Sequence, residues 1–163
     1  MVSLPLGWYM MEAYQKRRIL MLFFPETDAL GAGYHVLQSK IAVGSGMLAG
    51  KGYMEGTQNI LSFLPEQHTD FIFSVLAEEF GFIGSASLLL LFLLLILFGL
   101  NIAHAARDAF GTILAVGITA MIFWQSIINV GMVLGLMPVV GMPLPLISYG
   151  GSSLVTVLLA LGL

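Results

Sequence analysis

The chain has 163 residues, 58% of them hydrophobic and 9% charged, with a mean hydropathy of +0.96. A soluble domain carries about 25% charged residues, so too little polar side chain is present to coat a water-facing globule and most of the surface must face lipid. A net charge of −3 with six basic residues leaves no electrostatic footprint for nucleic acid, and the absence of cysteine excludes disulfides and thiolate metal sites.

In chain order, residues 1–11 are apolar but too few to span a bilayer, and they lack the basic flank and cleavage site of a signal peptide. They read as the end of a transmembrane helix, and the chain reads as a piece of a longer protein cut inside membrane segments at both ends. Residues 12–80 hold Lys16, Arg17, Arg18, Lys40 and Lys51, five of the six basic residues, and every acidic residue but Asp108. The glycines at 44, 46, 50, 52 and 56 speak for a loop folded closely on a larger body. Tyr34 to Val43 predicts a short amphipathic helix within that loop. Thr69 is a candidate N-cap, which would put Asp70 in a helical first turn.

Residues 81–106 carry no charge and centre on a run of leucines from Leu88, which predicts a transmembrane helix. A polar turn at 107–110 follows, then a second transmembrane helix at 111–136. Pro138, Pro143 and Pro145 forbid regular helix over the apolar 137–147 stretch. Irregular backbone at membrane depth must be buried in protein or line a cavity, so this stretch is a candidate site wall. Residues 148–163 begin another transmembrane helix. The fold class is therefore an all-α, polytopic transmembrane helical bundle with one large loop. Concentration of Lys and Arg in that loop would by itself place the loop in the cytoplasm.

Asp70 is the leading chemical candidate. It is either a helix-capping acid or a general base whose proton affinity is set by an apolar wall, and spacing alone does not separate the two. Glu78 and Glu79 are an interfacial charge pair or, with Asp70, ligands of a divalent cation, magnesium or manganese. Lys40 follows Gln38 and Ser39 and precedes the glycine-rich loop, a pattern suited to an anionic ligand. Arg17 and Arg18 suit lipid headgroups, and His68 has no metal-ligand spacing to His35 or His104. The Gly46–Gly50 and Gly131–Gly135 pairs match a close-packing motif of membrane helices. Gln125 and Asn129 predict interhelical hydrogen bonds.

Four strings in one order resemble a single family. They are Gly31-Ala-Gly-Tyr-His-Val-Leu-Gln-Ser-Lys-Ile-Ala-Val-Gly-Ser-Gly46, Leu64-Pro-Glu-Gln-His-Thr-Asp-Phe-Ile-Phe73, Glu78-Glu-Phe-Gly81 and Pro143-Leu-Pro-Leu-Ile-Ser-Tyr-Gly-Gly-Ser-Ser153. The chain is similar to the SEDS (shape, elongation, division, sporulation) proteins. Gly56-Thr57-Gln58 ahead of Leu64-Pro65 looks more like the rod-shape branch, RodA, than the division branch, FtsW. The resemblance implies the C-terminal portion of a ten-helix protein of the bacterial inner membrane, with the 12–80 loop extracytoplasmic, against the simple charge rule. It implies polymerisation of lipid II into glycan strands during elongation, beside a class B penicillin-binding protein and other membrane proteins of the elongation complex. The family's essential aspartate falls on Asp70, as base for the acceptor sugar hydroxyl with lipid pyrophosphate leaving. Lys40, Gln38, Ser39, Glu66, His68, Ser148, Tyr149 and Ser153 are the expected substrate contacts, and Asp70 with Glu79 the expected cation ligands. The cut chain is expected to be inactive by itself. The rival readings are a flippase for a lipid-linked precursor and a non-catalytic scaffold for the penicillin-binding protein.

Overall fold

A computed structural model of the chain describes residue 12 and residues 15–16, 32–53, 55–56 and 69–162. Among these the regular structure is helical throughout: α1 (Ala32–Ser45), α2 (Ile72–Ala105), α3 (Ala109–Val133) and α4 (Gly151–Gly162). The 1–11 segment, Arg17, Arg18, Glu66 and His68 lie outside the described residues.

Helices α2 and α3 pack as an antiparallel pair joined by a turn at 106–108, three residues rather than the four expected at 107–110. Asp108 closes this turn by accepting a hydrogen bond from the Gly111 amide at 2.9 Å, and α3 starts at Ala109. At its far end α3 stops at Val133, three residues short of the expected 136. Gly135 adopts φ +65°, its amide donates to the Met132 carbonyl, and the Leu136 amide donates back to Gly131 at 2.7 Å. That paired closure satisfies the orphan carbonyls of the last turn. The Gly131–Gly135 spacing thus terminates a helix and does not form the helix-packing motif expected from sequence.

Helix α2 begins at Ile72, nine residues ahead of the expected 81, and breaks at Gly81 with φ +65° and ψ −158°. The 82–105 part rises about 36 Å at 1.5 Å per residue, enough to cross a hydrocarbon core of about 30 Å. Only 11% of its most apolar stretch, and 22% of that of α3, is buried within the chain. The core helix of a soluble protein would be mostly covered. Leu91, Leu94 and Phe98 are instead 63%, 53% and 64% exposed, as lipid-facing side chains are. The buried cluster that does form joins Phe71, Phe73 and Phe92 of the α2 region to Ile122 and Val133 of α3, Leu144 of the irregular stretch and Val157 of α4.

The break at Gly81 is stitched by the loop after α1. With the ladder interrupted, the Glu78 and Glu79 carbonyls accept from the Lys51 and Gly52 amides at 3.0 and 3.1 Å. On the other side of the break, the Phe82 and Ile83 amides donate to the Met47 and Leu48 carbonyls at 2.8 and 3.1 Å. Four backbone groups flanking the break find partners in this exchange. Gly46 and Gly50 are the close approaches that permit it, because a Cβ at either would collide with the backbone of Ala77 or Glu79. Their spacing serves loop-on-helix packing, a variant of the close contact expected from it.

Candidate active site

The N-terminal end of α2, the C-terminal end of α3, the irregular 134–150 segment and α1 converge at one end of the helical pair. Asp70 stands there, half-buried, in a turn at 69–71 immediately before α2. Helix α2 takes Phe71 as its N-cap residue, with no side-chain cap and no acid in the first turn. Thr69 and Asp70 therefore stand just ahead of the N-cap position, rather than at the N-cap and in the first turn as expected.

Three contacts fix the turn. Asn129, fully buried on α3, donates from Nδ2 to the Asp70 carbonyl at 2.8 Å and to the Met142 carbonyl at 2.7 Å. Ser148 donates from Oγ to the Thr69 carbonyl at 2.6 Å and accepts from the Leu144 amide at 2.7 Å. The Asp70 carboxylate lies against Gly141, where a Cβ would stand 3.2 Å from Oδ2 and where φ is +76°. Only a residue without a side chain accommodates both that φ and that carboxylate.

Helix α1 forms the adjoining wall. His35 packs its ring 6.3 Å from that of Phe71. Ser39 is fully buried and donates to the Val133 carbonyl at 2.8 Å and the Val36 carbonyl at 2.9 Å. Lys40 is exposed and lays the end of its side chain over Gly135, just past the C-terminus of α3, where the helix dipole favours a cation. It has no ion pair among the described residues. Gln38 is half-buried and its Oε1 has no donor among the described residues.

Gln38 is half-buried with its Oε1 covered, and of the other expected substrate contacts Lys40 and Tyr149 (83% exposed) remain accessible. Ser39 and Ser148 do not, because both are buried with their hydroxyls engaged by the backbone. Ser153 donates to the Gly150 carbonyl at 3.0 Å and lines a cleft of about 270 Å³ with Gln125, Ser152 and Thr156 between α3 and α4.

Glu79 lies about 10 Å along the axis from the first residue of α2, and no group of three potential ligands forms among the described residues. Its neighbour Glu78, 1% exposed, pairs with Lys51 at 2.7 Å and receives a longer contact from Ser45 at 3.5 Å. The backbone carbonyls of both glutamates, and the side chain of Glu78, thus serve the stitched break. Sequence reasoning missed Asn129 and Gly141 as parts of the site. An amide in a charge-free helix was the available signal for Asn129, but its partners are backbone atoms 59 and 13 residues away. Spacing cannot reveal such partners.

Comparison with known proteins places this geometry. The profile of the FtsW, RodA and SpoVE family, described as cell cycle proteins, matches residues 1–163. Peptidoglycan glycosyltransferase MrdB of Escherichia coli K12 is 53% identical over 161 residues, covering 98% of this chain and 44% of MrdB. Peptidoglycan glycosyltransferase RodA of Treponema pallidum is 46% identical over 158 residues, covering 97% of this chain and 36% of that protein. A chain of a peptidoglycan synthase complex, solved to show how polymerisation and crosslinking are coordinated, superposes with a TM-score of 0.75. It is 34% identical, over 99% of this chain and 44% of its own length. The chain thus spans less than half the length of the curated relatives it matches. With an all-helical fold, apolar spans open to lipid and a family match from end to end, the chain belongs to the FtsW, RodA and SpoVE family of cell cycle proteins.

Proposed function

We propose that this chain carries the catalytic end of a peptidoglycan glycosyltransferase that polymerises lipid II in the bacterial inner membrane during elongation. The observation that carries the reading is Asp70, held by its backbone at the meeting point of α1, α3 and the irregular segment, with its carboxylate in a glycine-lined niche. In the proposed step Asp70 accepts the proton of the acceptor sugar hydroxyl as that oxygen attacks the anomeric carbon of the donor. The bond from that carbon to the lipid pyrophosphate breaks, and the pyrophosphate leaves with the electron pair. Lys40, exposed and without an ion pair among the described residues, is suited to stabilising the charge on the departing group. Ser39 and Ser148 are assigned to the scaffold rather than to substrate. No step is routed through a cation shared by Asp70 and Glu79.

The names of the similar proteins support the reaction class, and the similar synthase complex supports a crosslinking partner of the class B penicillin-binding type. Because the chain spans 44% of the MrdB length, the activity is assigned to it together with the remaining length such relatives have, and the chain alone is expected to be inactive.

The test is lipid II polymerisation by the full-length protein with its penicillin-binding partner. Wild type should yield glycan ladders. Asp70→Ala should lower the rate by about 10²–10⁴, the usual contribution of a general base. Ladders at the parental rate from Asp70→Ala would remove Asp70 from the chemistry. Lipid translocation without ladders from wild type would replace the transferase with a flippase.

A further inference from the structure

Two side chains outside the reacting groups determine where the Asp70 carboxylate stands. Asn129 and Ser148 come from different parts of the chain, 59 and 79 residues from the carbonyls they meet. Each reaches one of two successive carbonyls, those of Asp70 and Thr69, and each ties that carbonyl to the irregular 142–148 segment. Asn129 does so by donating its second N–H to Met142, and Ser148 by accepting the Leu144 amide. The turn, the end of α3 and the irregular segment are thereby locked into one unit around the carboxylate.

Asn129 carries a cost that points the same way. Its Oδ1 is buried without a hydrogen-bond donor among the described residues. A fully buried amide half-satisfied in this way is disfavoured unless its donor side is needed. Both donors go to the backbone of the site, and none goes to a neighbouring helix side chain of the kind expected from sequence. From α2, Ser74 adds a bond from its Oγ to the Phe71 carbonyl at 2.7 Å, one residue further along the turn.

We infer that Asn129 and Ser148 are positioning residues, which hold the 69–71 turn so that the Asp70 carboxylate meets the acceptor hydroxyl in reactive geometry. The inference rests on the reading of Asp70 as the base. A displacement of about 1 Å in a reacting group can cost about 10²-fold in rate. Loss of either clamp therefore acts on turnover and leaves substrate affinity in place.

The experiment compares wild type with Ser148→Ala, Ser148→Thr, Asn129→Asp and Asp70→Ala in the full-length protein with its penicillin-binding partner. It follows kcat and KM for lipid II, and amide hydrogen exchange over residues 69–73. For Ser148→Ala and Asn129→Asp, kcat is expected to fall about 10- to 100-fold with KM within about twofold. Exchange should rise in the 69–73 peptide and stay unchanged across 82–105. Ser148→Thr, which keeps the hydroxyl, should recover most of the lost kcat. Should Asn129→Asp fail to fold, the smaller Ser148 substitutions decide the matter. A Ser148→Ala protein with wild-type kcat and protection, beside an inactive Asp70→Ala, would overturn the positioning role alone. A raised KM with unchanged kcat would instead make Ser148 a substrate contact and overturn it equally. Full activity in Asp70→Ala would sink the underlying reading itself.

Discussion

Glu78 illustrates how one buried charge organises its surroundings. Its side chain is 1% exposed, and its Oε1 meets the Lys51 ammonium at 2.7 Å while Lys51 keeps 30% of its own side chain exposed. A carboxylate at that depth is stable only with a close cation, and the cation arrives on the loop whose amides also close the α2 break. Lys51→Met should lower thermal stability in detergent by about 1–3 kcal/mol, the cost of a buried polar group losing its partner. Lys51→Arg should keep most of it, and an unchanged melting temperature in Lys51→Met would remove the pair from the stability of the fold. From sequence alone this pair was invisible. The acidic doublet reads as an interfacial charge pair or a metal site, because burial and partner depend on a loop returning from 27 residues upstream.

At the scale of elements, the existence and type of the membrane helices were legible, and their ends were not. Runs without charge predict α2 and α3 because about 20 apolar residues suffice to cross a bilayer. The boundaries moved for identifiable reasons. Helix α3 stops early because Gly135 adopts a left-handed conformation that closes its last turn, although the apolar run continues to Met137. Helix α2 starts early because Glu78 and Glu79, taken for the edge of the membrane span, are inside a helix on the far side of the Gly81 break. That break makes a direct prediction. Gly81 has φ +65°, and a Cβ there would lie 2.8 Å from the Gly46 carbonyl oxygen, so Gly81→Ala faces both strain and collision. It should destabilise the protein by more than about 2 kcal/mol. Gly117 has open space around it in the middle of α3, and Gly117→Ala should be neutral or stabilising by about 0.5–1 kcal/mol. Equal melting temperatures for the two variants would contradict the stitched-break account.

For the whole molecule, the antiparallel α2–α3 pair sets the sidedness of the site. The turn at 106–108 lies at one end, while the Asp70 turn, α1 and the 134–150 segment gather at the other. The chain has no cysteine, so in a cysteine-free full-length background single replacements report topology cleanly. A106C and A49C should react with a membrane-impermeant thiol reagent from opposite sides of the membrane, with A49C on the outer side. Labelling of both from one side would refute the topology. The charge distribution alone argues for the reverse orientation, but the positive-inside rule weakens for loops beyond about 60 residues, and Lys51 serves the local pair with Glu78. Asp70 could be singled out from its motif, but the reason it is well placed could not. Asn129, Gly141 and Ser148 reach it only through the folded backbone. The most direct test of the central claim is single-turnover glycan synthesis by full-length wild type and Asp70→Asn with their penicillin-binding partner, with lipid II binding measured in parallel. The account predicts binding within about twofold of wild type and a rate lower by about 10²–10⁴; parental turnover by Asp70→Asn, or a loss explained wholly by weaker binding, would contradict it.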